Sequence, residues 1–158
     1  MVKRLALCIA VAAAAPALAV DFRWTSGFNQ GTAAGQIQNQ AGSLVHFACN
    51  SGGLPPGGPS LHVQIKGKDI PGSRLFQFVI DGQNRPVTLQ DGWLLNAQAR
   101  PDKAALMAIA HSLVVSRAPS FAVELPELRL EERFSLLNVK DALGAAPGKT
   151  LADCDGSR

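Results

Sequence analysis

A chain of 158 residues in which 47% are hydrophobic and 15 Lys or Arg face 12 Asp or Glu has material for one buried core, not for several. Two of the charges behind its formal +3 are Lys3 and Arg4 at the extreme N-terminus, and no Lys/Arg cluster follows. The electrostatic footprint of a nucleic-acid or anionic-membrane binder is therefore missing.

The N-terminus has the layout of a secretory leader: Lys3 and Arg4, an apolar stretch over residues 5–15, and the small-residue site Ala17-Leu18-Ala19. Cleavage is expected after Ala19. The apolar stretch is well short of the roughly 20 residues that span a bilayer, and no later stretch is a better candidate, so no integral membrane segment is expected after cleavage. Leu5-Ala6-Leu7-Cys8 imitates a lipidation box, but the apolar stretch follows Cys8 instead of preceding it. Residues 1–19 thus read as a signal peptide and residues 20–158 as a single β-rich domain, periplasmic or secreted. The two cysteines left to it, Cys49 and Cys154, are expected to pair in an oxidising compartment.

In chain order, residues 20–41 read as a loosely held edge segment, rich in Gly, Gln and Asn, with Trp24 and Phe28 tacking it to the core and a short strand over 36–40. Residues 43–49 alternate, with Val45, Phe47 and Cys49 on one face; residues 61–66 alternate with Leu61, Val63 and Ile65 on one face. Paired antiparallel with both apolar sets on one core, they need a register in which paired residue numbers sum to an even number. One such register sets His46 opposite His62 on the outer face.

Between them lies a loop with four Gly and three Pro, which cannot be regular structure. Its first part, Asn50, Ser51, Gly52, Gly53, Leu54, Pro55 and Pro56, is the candidate binding loop: a base fixed by Cys49 and an adaptable tip. A plain connector is the competing reading.

Residues 74–80 give a central strand covered on both sides, with Phe76, Phe78 and Ile80 opposed to Leu75 and Val79. A hairpin through Asp81-Gly82-Gln83-Asn84 leads to a strand whose Pro86 argues for an edge, and Asp91-Gly92 turns into Trp93-Leu94-Leu95. Pro101 opens a helix over 101–111 whose Leu106, Ile109, Ala110 and Leu113 make an apolar stripe. Residues 113–117 and the alternating Phe121, Val123 and Leu125 suggest a hairpin, and residues 127–131 a half-exposed strand. Asn138, Asp141 and Gly144 bracket a second short helix, and residues 150–154 a last turn.

The fold class expected is α+β: a mostly antiparallel β-sandwich with two short helices and one disulfide. No G-x-S-x-G, S-x-x-K, H-E-x-x-H, P-loop or strand-following G-x-G-x-x-G occurs, so no catalytic residue is assigned and no enzyme is expected. Asp69, Asp81 and Asp91 are explained by turns, and Trp24 and Trp93 by core packing. His46 and His62 are the candidate metal pair, with His111 or a carboxylate as third ligand; without a defined third ligand no metal or other cofactor is assigned.

Trp24 near the start of the domain, a cysteine-bearing strand over 44–49, a mid-chain helix ahead of a hairpin, and the tail Phe134-Ser135-Leu136, Asp141-Ala142-Leu143, Leu151 and Cys154 resemble small periplasmic proteins of the invasion-associated locus B type. The tail is also similar to periplasmic accessory proteins of type VI secretion. The long loop after Cys49 and the Gln/Asn-rich tract depart from both. The resemblance implies a periplasmic β-sandwich with an envelope role and no catalytic residues. Function is accordingly expected to be that of a non-enzymatic exported binding or accessory module whose partner is another envelope protein. An inhibitor or immunity-like protein that blocks a cell-wall hydrolase is the alternative.

Overall fold

The computed structural model describes residues 22–50, 58–95, 97, 100–144, 151 and 154. The leader and its cut after Ala19, and the loop residues Ser51, Gly52, Gly53, Leu54, Pro55 and Pro56, lie outside the described residues.

Among the described residues, short runs of alternating residues joined by glycine turns produce nine strands: β1 (Thr25–Asn29), β2 (Thr32–Gln38), β3 (Leu44–Asn50), β4 (Pro59–Gln64), β5 (Ser73–Ile80), β6 (Gln83–Gln90), β7 (Trp93–Leu94), β8 (Ser120–Leu125) and β9 (Leu130–Ser135). Helix α1 (Arg100–Val115) follows β7 and α2 (Val139–Leu143) follows β9. All nine strands join one antiparallel sheet in the order β1-β2-β3-β4-β7-β6-β5-β8-β9. Turns Gln30-Gly31, Asp81-Gly82 and Asp91-Gly92 are two-residue connections with positive φ at both positions, the twist that matches antiparallel hairpins. Lys66-Gly67 makes the same turn after β4, closed by the Ile65–Lys68 bridge.

The sheet curls until β9 comes against β2, which gives the expected sandwich-like α+β fold. Trp24, wholly buried, touches Phe47 of β3 and Phe121 of β8 at ring-centre distances of 6.2 Å each, so halves from opposite ends of the order share one core. Phe121 also packs on Phe78 and Phe134. Each such aromatic pair adds about 0.5–1.5 kcal/mol beyond the burial of its area. Helix α1 lies on β6, β4 and β5, with Leu106, Ile109, Ala110 and Leu113 buried as the stripe requires. Every described core side chain of size belongs to this single cluster.

The outer edge of β9 is covered. The Asn39 amide donates to the Arg133 carbonyl at 3.2 Å, the Trp24 indole N–H to the Ser135 carbonyl at 3.1 Å, and the Trp24 backbone N–H to the Leu137 carbonyl at 3.0 Å. These are alternate residues along one edge, the groups a further strand would otherwise take. The other end of the sheet, β1, is exposed at all five residues.

Several expectations change. The tract over 25–38 is a β-hairpin, not a loose segment; alanine and glycine have little strand preference of their own, and pairing with β3 overrides that. Trp24 anchors it, whereas Phe28 is 61% exposed. Strand β5 is central, between β6 and β8, but only Phe76, Phe78 and Ile80 are buried, and Leu75 faces outward because no layer covers that side. Pro86 fits as foreseen: β7 pairs with β6 only at Gln90, leaving Pro86 on an unpaired stretch of edge. Residues 113–115 continue α1, and β8 takes β9 as hairpin partner instead, through a 3-10 turn at Pro126–Leu128 with Arg129 left-handed. Asn138 precedes α2 but does not cap it; with φ at 67° its side-chain amide turns back to the Trp24 carbonyl, 2.9 Å away.

The Cys49–Cys154 disulfide is present, with Cα atoms 5.4 Å apart, and closes a loop of 105 residues of separation. Leu151 and Cys154 are helical and buried, as the expected last turn requires. The chain-entropy account assigns a loop this long about 4–5 kcal/mol. Non-reducing peptide mapping should show the Cys49–Cys154 peptide, and the Cys49→Ala/Cys154→Ala variant should lose about that much stability in urea. A loss under 1 kcal/mol would mean that the bridge constrains little.

Candidate functional site

The outer face of the sheet is built by register. Paired residues share a face, so Thr25, Gln36, His46, His62, Trp93, Gln90 and Ser73 form one polar row across seven strands. His46 stands opposite His62, the pairing that the even-sum rule allows, with Val45 on Val63 and Phe47 on Leu61 behind it. His62 stands in turn opposite Trp93 of β7.

At the centre of this row His62 meets Trp93 and Asp69. Its ring lies on the Trp93 indole with centres 3.6 Å apart and planes 9° from parallel. Its Nε2 is 2.7 Å from Oδ1 of Asp69, and Gln64 donates to the same oxygen at 3.0 Å. An ionised carboxylate only accepts, so Nε2 carries the hydrogen. The hairpin explains the meeting: with Ile65 bridged to Lys68, position 69 falls opposite position 64 and shares the outer face of His62 and Gln64. His62 is consequently only 8% exposed, although it belongs to the outer face.

Three expectations are corrected at this cluster. Asp69 lies just past the Lys66-Gly67 turn, not in it, and its carboxylate is used by His62 and Gln64. Trp93 is half-buried, not in the core, because its face is spent on His62. The outer-face histidines are not both open to solvent, since Trp93 covers one of them. The other turn acids differ in kind. Asp91 sits in its expected turn but accepts from the backbone N–H of Gly72, in the loop before β5, at 2.6 Å, while Asp81 accepts from the Ser116 hydroxyl at 2.8 Å and ties the end of α1 to the β5–β6 turn.

Sequence reasoning named His46 and His62 and missed Asp69 and Trp93. For Asp69 the signal was available, since Lys66-Gly67 as a two-residue turn fixes which residue returns beside Gln64; for Trp93 it was not, because Asp91-Gly92 sets Trp93 opposite Gln90 and only the β4–β7 pairing brings it to His62. His111 lies on the exposed side of α1, and among the described residues no three of His, Cys, Asp and Glu gather in one group.

Beside the cluster a groove of about 510 Å³ is lined by Gln90, Asp91, Trp93, Leu94 and Leu95. Leu94 packs on the core from its strand, and Leu95 stands 62% exposed at the rim. The neck of the candidate loop adjoins it: Cys49 pairs with Pro59, the Ala97 N–H donates to the Pro59 carbonyl at 2.8 Å, and a Cβ at Gly58 would come within 2.5 Å of the Ala97 carbonyl oxygen. Asn50, the last residue of β3, is the one member of the candidate loop among the described residues, and it pairs with Thr32. The neck is therefore rigid.

The hydrogen bond from His62, and after it the one from Gln64, holds the Asp69 carboxyl below its ordinary 3.8. Burial, and secondarily the neighbouring His62, holds the His46 imidazole below its ordinary 6.5. Each shift leaves the unfolded chain binding more protons, so both make stability rise with pH. Stability should begin to fall as pH drops below about 6.5 through His46, and fall again below about pH 4 as Asp69 is protonated. Melting temperatures between pH 3 and pH 8 check this: His46→Gln should flatten only the upper limb and Asp69→Ala only the lower. Asp69→Ala should also cost about 1 kcal/mol at pH 7, the discounted value of a charge-assisted bond to a half-exposed carboxylate.

Among the described residues no helix is long and apolar enough to cross a membrane. No curated protein and no solved structure matches the chain. The family YfjT matches residues 22–143, a span that begins just before β1 and ends with the last residue of α2. By that match, across all nine strands and both helices, the chain belongs to the YfjT family.

Proposed function

We propose that this protein is a non-enzymatic exported envelope protein, periplasmic or secreted, that works as a binding or accessory module for another envelope protein. One observation carries the reading: the Trp93–Leu94–Leu95 groove sets an exposed apolar side chain next to a loop whose neck is locked by Cys49, Pro59 and Gly58. An exposed apolar rim beside a fixed base is the layout of a protein-docking surface. The polar groups nearby serve to hold that surface in shape. His62 offers its ring face to Trp93 and its Nε2 to Asp69, so the indole that floors the groove cannot swing away.

Crosslinking in intact cells, followed by identification of the captured protein, tests the reading with Leu95→Asp as the discriminating variant. Leu95 is exposed, so this change should leave the melting temperature within about 0.5 kcal/mol equivalent of wild type. Wild type should capture one envelope protein stoichiometrically, and Leu95→Asp should reduce capture at least tenfold. If the captured protein is a cell-wall hydrolase that the wild type inhibits, the module is an inhibitor. Turnover of any substrate that is lost in His62→Ala but kept in Leu95→Asp would overturn the proposal.

A further inference from the structure

The two ends of the sheet are treated differently. At β9 the outward carbonyls of Arg133 and Ser135 are taken by the Asn39 amide and the Trp24 indole. At β1 the described residues pair on one side only, with β2. The two-residue turn at Gln30-Gly31 makes Asn29–Thr32 a hydrogen-bonded pair, and alternation then makes Gly27–Ala34 and Thr25–Gln36 the other two. The N–H and C=O groups of Ser26 and Phe28 therefore point away from β2, toward the open side. Edge strands are normally defended by lysine, proline, bulges or coverage. Here the strand reads Thr-Ser-Gly-Phe-Asn, with neither charge nor proline, all exposed, and it carries Phe28 at 61% exposure.

We propose that two copies of this chain join edge to edge through β1, antiparallel about a two-fold axis at Gly27. The occupant follows from symmetry and chemistry. Four outward backbone groups, on residues placed evenly about Gly27, complement themselves: Ser26 of each copy exchanges N–H···O bonds with Phe28 of the other, four bonds in all. An uncharged strand repels no copy of itself and offers no charge by which to select a foreign one. Because the β9 edge is capped, the head-to-tail alternative of β1 on β9 is closed, and the pairing of β1 on β1 ends at two. At the axis Gly27 faces its own copy in a non-hydrogen-bonded pair, where strands come closest; a Cβ there would meet nothing within 4 Å. The two Phe28 rings become diagonal neighbours on one face, within reach of each other, which accounts for an aromatic left uncovered on the monomer. Five residues a side make a small contact, so association belongs to the weak class, with Kd in the micromolar to millimolar range.

Sedimentation velocity over a concentration series, with cysteine crosslinking, tests this pairing. The mean mass should rise from one chain toward two with increasing concentration and no further. Ser26→Pro removes an outward N–H not used by β2 and should hold the protein at one chain with its melting temperature unchanged. Gly27→Cys, at the axis, should crosslink copies under mild oxidation at least tenfold above wild type, while Asn29→Cys, which faces Thr25 of the other copy, should not. A protein that stays monomeric at millimolar concentration, that dimerises equally well as Ser26→Pro, or that crosslinks equally through positions 27 and 29 would overturn the proposal. So would a monomer that takes an unrelated extended peptide on β1 instead. None of these outcomes touches the Leu95 groove on which the function rests.

Discussion

Everything in this molecule depends on how the two ends of one long sheet are brought face to face. Trp24 is the agent. Its indole fills the middle of the core against Phe47 and Phe121, while its N–H and its backbone bind the Ser135 and Leu137 carbonyls and its own carbonyl receives Asn138. A tryptophan suits this position because it joins a large apolar body to one directional donor, so burial and polar satisfaction come from the same side chain. Asn39 does the polar part of the task one step further along. It donates to Glu132 at 2.7 Å and to Arg133, and its side-chain oxygen accepts from the Ser43 backbone. Glu132 and Ser43 are buried polar residues, and both are satisfied in this way, Ser43 also by accepting from the Lys66 N–H.

What was legible in the sequence is what period and turn chemistry encode locally. The strands around Val45, Phe47, Leu61 and Val63, the parity of their register, the central position of β5, the edge stretch at Pro86 and the apolar stripe of α1 all follow from two-residue or 3.6-residue patterns. The β1–β2 hairpin was hidden because Ala33, Ala34 and Gly35 carry almost no strand preference, and the face they bury is decided by β3. The end of α1 was hidden because Leu113, Val114 and Val115 suit a strand as well as a helix, and only the packing of Leu113 against the sheet decides between them. That the sheet is one and curled, with β7 wedged between β4 and β6, is a long-range fact that no local pattern states.

The candidate site shows the same division. His46 and His62 were found because they sit on strands whose parity can be counted. Asp69 and Trp93 were assigned to turn and core because each was considered alone, by residue type; counting through Lys66-Gly67 places Asp69 on the face of His62, whereas Trp93 reaches it only through the pairing of β4 with β7. A two-residue turn therefore carries more than a change of direction. It transmits register from one strand to the next, and with it the list of side chains that meet. The groove, by contrast, depends on Leu95 remaining exposed just past the end of β7, which no residue-type preference would suggest.

The disulfide has a temporal meaning as well as an energetic one. Cys154 follows Cys49 by 105 residues, whereas every hairpin from β1 to β6 closes between near neighbours in the chain. Local pairings form in microseconds, and the bridge must await the arrival of nearly the whole chain. The cysteines are thus brought together by a sheet that is already assembled. The bond acts as a latch closed last, and a chain interrupted before Cys154 would have most of the fold's shape without its lock.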